Sequence, residues 1–228
     1  MNDRKSRTRS LLNKLLFATG VGGGLLATVL FVPPVRDRFF ATKVWPWPLP
    51  WDTNEQELQL LKDLAQPGDV VVESNLHGWQ WMALCFAATG TTWVHAALVD
   101  EKKRLLTVHK RVIETDWNIY NDWGSTRIAL LRPCFRSAAQ VQTAIDHARS
   151  KLGTEYDPSF RNHAGNCNGL VASALAEAGL PVKTRTCFGR DVYNAKCFFD
   201  LPGAEIVWQS DKERARSRTV VTPKKIHI

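Results

Sequence analysis

The sequence predicts an α+β fold, a small antiparallel sheet packed against helices, preceded by one N-terminal transmembrane helix. Three observations predict it. Eighteen residues without a charge run from Leu15 to Val32 (LLFATGVGGGLLATVLFV), and a run of that length reads as a spanning helix because charge is costly in hydrocarbon. Short apolar runs of strand character, DVVVE at 69–73, WVHAALV at 93–99 and RIALL at 127–131, are separated by turn-forming residues. Two stretches with helical spacing follow, one from Ser137 and one from Asn166. Strands first and helices second favour α+β over alternating layers.

The 228 residues carry a formal charge of +8 and are 44% hydrophobic, a composition unlike a collagen, a coiled coil or a disordered tail. The charge belongs to the ends. Residues 1–14 hold Arg4, Lys5, Arg7, Arg9 and Lys14 against Asp3, and residues 211–228 hold Lys212, Arg214, Arg216, Arg218, Lys224 and Lys225 against Asp211 and Glu213. The body from 15 to 210 is neutral. A nucleic-acid-binding domain concentrates basic charge on its folded surface, so no nucleic-acid partner is expected.

Taken in order, residues 1–14 are a basic cytoplasmic flank, 15–32 the anchor, and 33–53 a Trp/Pro-rich juxtamembrane linker. Pro33-Pro34 ends the anchor, because proline lacks the amide donor a helix needs. Net charge is higher before the anchor than just after it, so the positive-inside rule keeps the N-terminus in the cytoplasm and exports the rest to the periplasm. The rival reading, a cleaved signal peptide, lacks a small-x-small cleavage site and would need a shorter apolar run. Trp45, Trp47 and Trp51 sit among prolines where indole suits the membrane–water boundary. Gly20 and Gly24 form a small-xxx-small pattern that could let two anchors dimerise.

The body, 54–210, opens with an amphipathic helix from Asn54 to Leu64, closed by Pro67-Gly68. Asp69–Glu73 is a buried strand, and 79–88 a helix or covering loop rich in Trp, which either roofs the core, forms an acyl-binding wall or rests on lipid. The strand at 93–99 turns through Asp100–Arg104 into Leu105–Ile113, its antiparallel partner. Pairs across that turn sum to 204, which sets His95 opposite His109. Ser137 has Gln140 at capping-box spacing, and the helix from Asn166 ends at Gly179 with Pro181 beyond. Residues 211–228 form a basic tail.

Cys167 stands in the first turn of that last helix, in Gly165-Asn-Cys-Asn-Gly-Leu-Val171. Unpaired amides and the helix dipole there favour a thiolate. A thiol nucleophile needs an imidazole base and a third polar group to orient it, and His95, a polar residue in an apolar strand, needs a partner. His163 is a competing base, although no CxxC or HxxxH pair completes a zinc site. Cys187 and Cys197 could close a disulfide loop in an exported domain, a pairing that spacing does not establish.

Gly153-x-x-Tyr156 followed by Asn-Cys167-Asn-Gly-Leu-Val resembles the GxxY…DCSGLV segment of NlpC-type papain-like cysteine hydrolases, and Val94-His95-Ala-Ala-Leu-Val resembles their HVGIY strand. The histidine segment precedes the cysteine here, and Pro67-Gly-Asp-Val-Val-Val opens the domain, as in the circularly permuted, YiiX/YaeF-like branch. The resemblance covers about residues 66–182. It implies a permuted papain-like fold, with Cys167 as nucleophile, His95 as base and acid, His109 as the orienting third member and Tyr156 at the oxyanion site or acyl pocket. Asn168 replaces a usual Ser and Ala96-Ala97 a usual Val-Gly, both tolerable in packing; His109 stands where the branch often has a carboxylate. The expected activity is a membrane-anchored thiol hydrolase, an amidase, peptidase or esterase acting through a thioester on a lipid or peptidoglycan-type envelope substrate, with no cofactor or metal. The alternatives are an acyltransferase using the same acyl-enzyme and a degenerate envelope-binding scaffold.

Overall fold

The computed structural model describes residues 52–75, 86, 90–157, 165–187 and 190–210. The anchor, the linker up to Trp51, the Gly20/Gly24 pair, most of 79–88, His163 and the basic tail lie outside the described residues. Among the described residues, no helix is long and apolar enough to cross a membrane.

Helix α1 (Glu55–Leu64) begins where Asn54 accepts a hydrogen bond from the Glu57 amide and Glu57 returns one to the Asn54 amide. That reciprocal pair satisfies two amides that a helix start leaves unpaired. Leu58 and Leu61 are its buried side. The chain then turns at Gly68, whose φ of +87° suits glycine, and a Cβ there would meet Phe135 at 2.8 Å and Val141 at 3.0 Å. Asp69, 2% exposed, receives Arg132 on both carboxylate oxygens at 2.9 Å, a bidentate pair that fixes the start of the first strand.

Six strands form one sheet: β1 (Val70–Ser74), β2 (His95–Val99), β3 (Leu105–Val108), β4 (Val112–Thr115), β5 (Arg127–Arg132) and β8 (Glu205–Gln209), in the spatial order β4-β3-β2-β1-β5-β8. Every neighbouring pair is antiparallel. Helix α2 (Ile119–Trp123) lies between β4 and β5 in sequence, α3 (Ala138–Ser150) and α4 (Cys167–Glu177) follow, and a hairpin of β6 (Arg185–Cys187) and β7 (Arg190–Val192) leads to a 3-10 turn at Ala195–Phe198.

The central strand β1 reads as a continuous apolar run because both faces are covered. Val70 and Val72, with Ala96, Leu98, Leu106, Ala129 and Leu131, face α3 and α4. Val71, with Ala97, Val99, Leu105, Ile128 and Leu130, faces α1, Trp117, Tyr120 and Trp208. The expected layout of sheet and packed helices is therefore observed, with a second apolar layer on the far side.

One element differs from expectation. The stretch 105–113 is two strands, broken by a turn at His109-Lys110 in which the His109 amide reaches the Arg111 carbonyl at 3.1 Å. Leu98↔Leu106 and Val99↔Leu105 do pair with the expected register. Extrapolating it to His109 fails, because the strand has already ended at Val108 and His109 lies exposed in the turn. Polar Lys110-Arg111 after Val108 offers nothing to bury, which favours turning there.

Candidate functional site

Cys167 is the first residue of α4, behind Asn166, whose side chain accepts from the Gly169 amide at 2.8 Å. That cap leaves the Cys167 and Asn168 amides directed at the end of the helix where the sulfur lies. Helix α4 packs on β2 and β3, and the sulfur meets the backbone of Ala96, next to His95. Burial pushes the Cys167 thiol up to about 11; the amides of Ala96, Asn168 and Cys167 pull it down, and the Glu73 carboxyl adds to the rise. The thiolate expected from the helix start is thus outweighed by desolvation. At neutral pH this cysteine is a thiol that needs a base.

His95 opens β2. Its Nε2 lies 2.6 Å from Thr107 Oγ1, and Thr107 Oγ1 donates to the Ala96 carbonyl at 3.0 Å. A threonine hydroxyl has one proton. With that proton committed to Ala96, the hydroxyl accepts from His95, which places the imidazole proton on Nε2 and leaves Nδ1 as the basic atom. The Trp123 ring stands edge-on to the imidazole at 4.8 Å. Burial, reinforced by the nearby His109, pushes His95 down to about 3, so the ring is neutral at neutral pH. No hydrogen bond joins Cys167 to His95 among the described residues.

His109 is drawn to the same place without joining His95 directly: its ring lies 5.4 Å from Trp123, and Thr107 occupies the hydrogen-bonding position on His95. Tyr156 packs half-buried against the helix-side core with Cys167. Its amide donates to Lys110 at 2.9 Å, which ties it to the turn carrying His109.

Sequence reasoning missed three neighbours. Thr107 is the polar residue of the apolar strand LLTV, the same signal that singled out His95. Glu73 pairs with His95 in the β1–β2 register and is 3% exposed. Burial pushes its carboxyl up to about 7, and a hydrogen bond from Ser125 works against the rise. Trp123 closes the imidazole from the α2 side; nothing in its local sequence marks that role. Tyr120, whose buried hydroxyl has no hydrogen-bond partner among the described residues, is raised well above the usual phenol range by burial, with Glu73 and Cys167 adding to it. Of the other cysteines, Cys134 and Cys197 are free thiols in the structure, and the Cys187 side chain lies outside what it describes.

No family model and no curated protein matches the chain. Among solved structures it is similar to the metalloprotein YiiX from Escherichia coli O157:H7, with a TM-score of 0.54 and 19% identity over 64% of this chain and 98% of that one. Among the described residues here, no three His, Cys, Asp or Glu side chains converge as metal ligands. The likeness is one of fold, a mixed arrangement of helices and an antiparallel sheet similar to that of YiiX.

Proposed function

We propose that the protein is a membrane-anchored thiol hydrolase that cleaves an amide or ester of an acylated or peptide cell-envelope substrate. The observation that carries the reading is the chain Ala96 carbonyl–Thr107–His95, which fixes the imidazole tautomer, together with Cys167 at the Ala96 backbone. His95 Nδ1 takes the thiol proton as the Cys167 sulfur attacks the substrate carbonyl. The oxyanion is held by amides at the start of α4, with Tyr156 beside them. Protonated His95 gives its proton to the leaving amine or alcohol, and a thioester remains. Water activated by His95 then hydrolyses it. Thr107 is a positioning residue here, the part the sequence assigned to His109. The anchor at 15–32 and the tryptophans of the linker hold the domain at the periplasmic face of the inner membrane, near such substrates.

The test is capture of the acyl-enzyme. Full-length protein in non-ionic detergent is incubated with envelope extract and analysed by mass spectrometry. A hydroxylamine-labile adduct at Cys167, lost in Cys167→Ala and His95→Ala, is expected; its mass separates an acyl chain from a muropeptide. Adducts spread equally over Cys134, Cys167 and Cys197 would contradict the proposal. Added amines or alcohols that drain the adduct faster than water would instead make the enzyme an acyltransferase. Topology is checked separately: a phosphatase fused after residue 210 is active if the domain is exported, and inactive if the orientation is reversed.

A further inference from the structure

Tyr120 lies on α2 with 1% of its surface exposed, and its hydroxyl has no hydrogen-bond partner among the described residues. A buried hydroxyl left unpaired costs stability, and phenylalanine would fill the same space without that cost. The ring itself is fixed. It stands edge-on to Trp117 and to Trp123, each at 6.3 Å. Its amide donates to the Trp117 carbonyl at 3.1 Å, and its carbonyl accepts from the Ser125 amide at 2.8 Å. Trp117 is anchored in turn, its indole N–H donating to the Lys103 carbonyl at 2.7 Å. Gly124, at φ +71°, ends α2 and turns the chain so that Ser125 reaches Glu73. The fold thus holds in place a hydroxyl that it does not itself use.

That hydroxyl lies at the site already described. The Trp123 ring that contacts Tyr120 also stands 4.8 Å from the His95 imidazole, so one ring separates the phenol from the base. Negative charge on Glu73 and on Cys167 is felt at the phenol in each case. Of the hydroxyls on Thr107, Tyr120 and Ser125, two have an acceptor: Thr107 donates to the Ala96 carbonyl and Ser125 to Glu73. Only the Tyr120 proton has none. We propose that the Tyr120 hydroxyl is a catalytic donor to the Cys167 sulfur, turning its O–H onto the sulfur as negative charge develops there. A neutral thiol is a weak acceptor and does not hold the hydroxyl at rest, whereas a thiolate is a strong one. Catalytic hydrogen bonds often tighten only when that charge forms. The phenol keeps its own proton throughout, because burial and the neighbouring acids oppose its loss; the thiol proton goes to His95. A fixed donor in a buried setting favours the charged sulfur, beside the amides of Ala96, Asn168 and Cys167 that already do so. The inference rests on Cys167 as nucleophile and adds a group that steadies its charge.

Alkylation by iodoacetamide reads the Cys167 thiolate without any substrate. Full-length protein in non-ionic detergent is alkylated at a series of pH values from neutral to mildly alkaline, and the modified peptides are quantified by mass spectrometry. Tyr120→Phe is expected to slow alkylation of Cys167 about three- to tenfold at each pH, because a hydrogen bond raises the thiolate fraction more than it dulls thiolate reactivity. The exposed Cys134 reacts as in the wild type. The unfolding midpoint of Tyr120→Phe stays level or rises, since an unpaired buried hydroxyl has been removed. Equal Cys167 rates in the two proteins, absence of alkylation in both included, would overturn the proposal. So would a lower midpoint or a misfolded Tyr120→Phe, either of which gives the hydroxyl a structural role. Equal rates alongside an acyl-enzyme captured at Cys167 sink this inference and leave the hydrolase reading standing. Slower alkylation in Tyr120→Phe with no acyl-enzyme does the reverse.

Discussion

Thr107 has one proton and two neighbours that want something from it. Its donation to the Ala96 carbonyl and acceptance from His95 Nε2 decide which imidazole nitrogen carries the proton. Thr107→Val keeps the shape and removes the hydroxyl, so the imidazole loses the partner that fixes its tautomer. We expect kcat to fall roughly ten- to a hundredfold, short of the full contribution of a general base of about 10²–10⁴, with KM little changed. Thr107→Ser restores the hydroxyl and most of the rate. A purely structural role would instead show as equal losses in both variants together with a lower unfolding midpoint.

Glu73 and His95 face each other across two strands and carry opposite pH dependences. The folded pKa of Glu73, about 7, lies above its ordinary 4.5, so the stability it permits is full below pH 4.5 and is lost as pH rises to 7. That of His95, about 3, lies below its ordinary 6.5, so its contribution is full above pH 6.5 and is lost as pH falls towards 3. Between pH 4.5 and 6.5 the two slopes oppose each other. Glu73→Gln removes one of them. Denaturant unfolding is then expected to show stability rising with pH across that window by about 1–3 kcal/mol more than in the wild type. Parallel profiles for the two proteins would contradict the assignment.

At the scale of elements, the turn before β1 makes the sharpest demand on sequence. Gly68→Ala places a Cβ at positive φ and within 3.0 Å of Val141 and nearer still to Phe135; a loss of about 1–3 kcal/mol in chemical denaturation is expected. Pro67-Gly68 was legible as a stop, and so were the helix from Asn54, the strand at 69–73 and the helix from Asn166, because each is written in neighbouring residues. The long strand at 105–113 was not. Periodicity carries through the turn at His109, and where a hairpin stops following its register depends on what covers its open end. Here α2 brings Trp123 against both histidines, a tertiary choice with no local signature. The same reason hid Thr107 and Glu73: each is one polar residue in a strand until the β1–β2–β3 pairing places it beside His95.

At the scale of the whole molecule, the sheet is covered on both faces, and its end between β1, β2 and β5 collects the chemistry. Burial sets the resting state: a neutral His95 imidazole against Thr107 and Trp123, and a neutral Cys167 thiol at the start of α4. That state is quiet. Under the proposed hydrolase reading, reaction waits for a bound substrate carbonyl before the proton moves from sulfur to His95. The account is tested most directly by acylation of the full-length protein with p-nitrophenyl hexanoate at pH 7, read as a burst of nitrophenolate and as the acylated peptide. A burst with hexanoyl on Cys167 alone, abolished in Cys167→Ala and reduced at least about a hundredfold in His95→Ala, is the expected result. Acylation of Cys167 at the wild-type rate without His95 would contradict it.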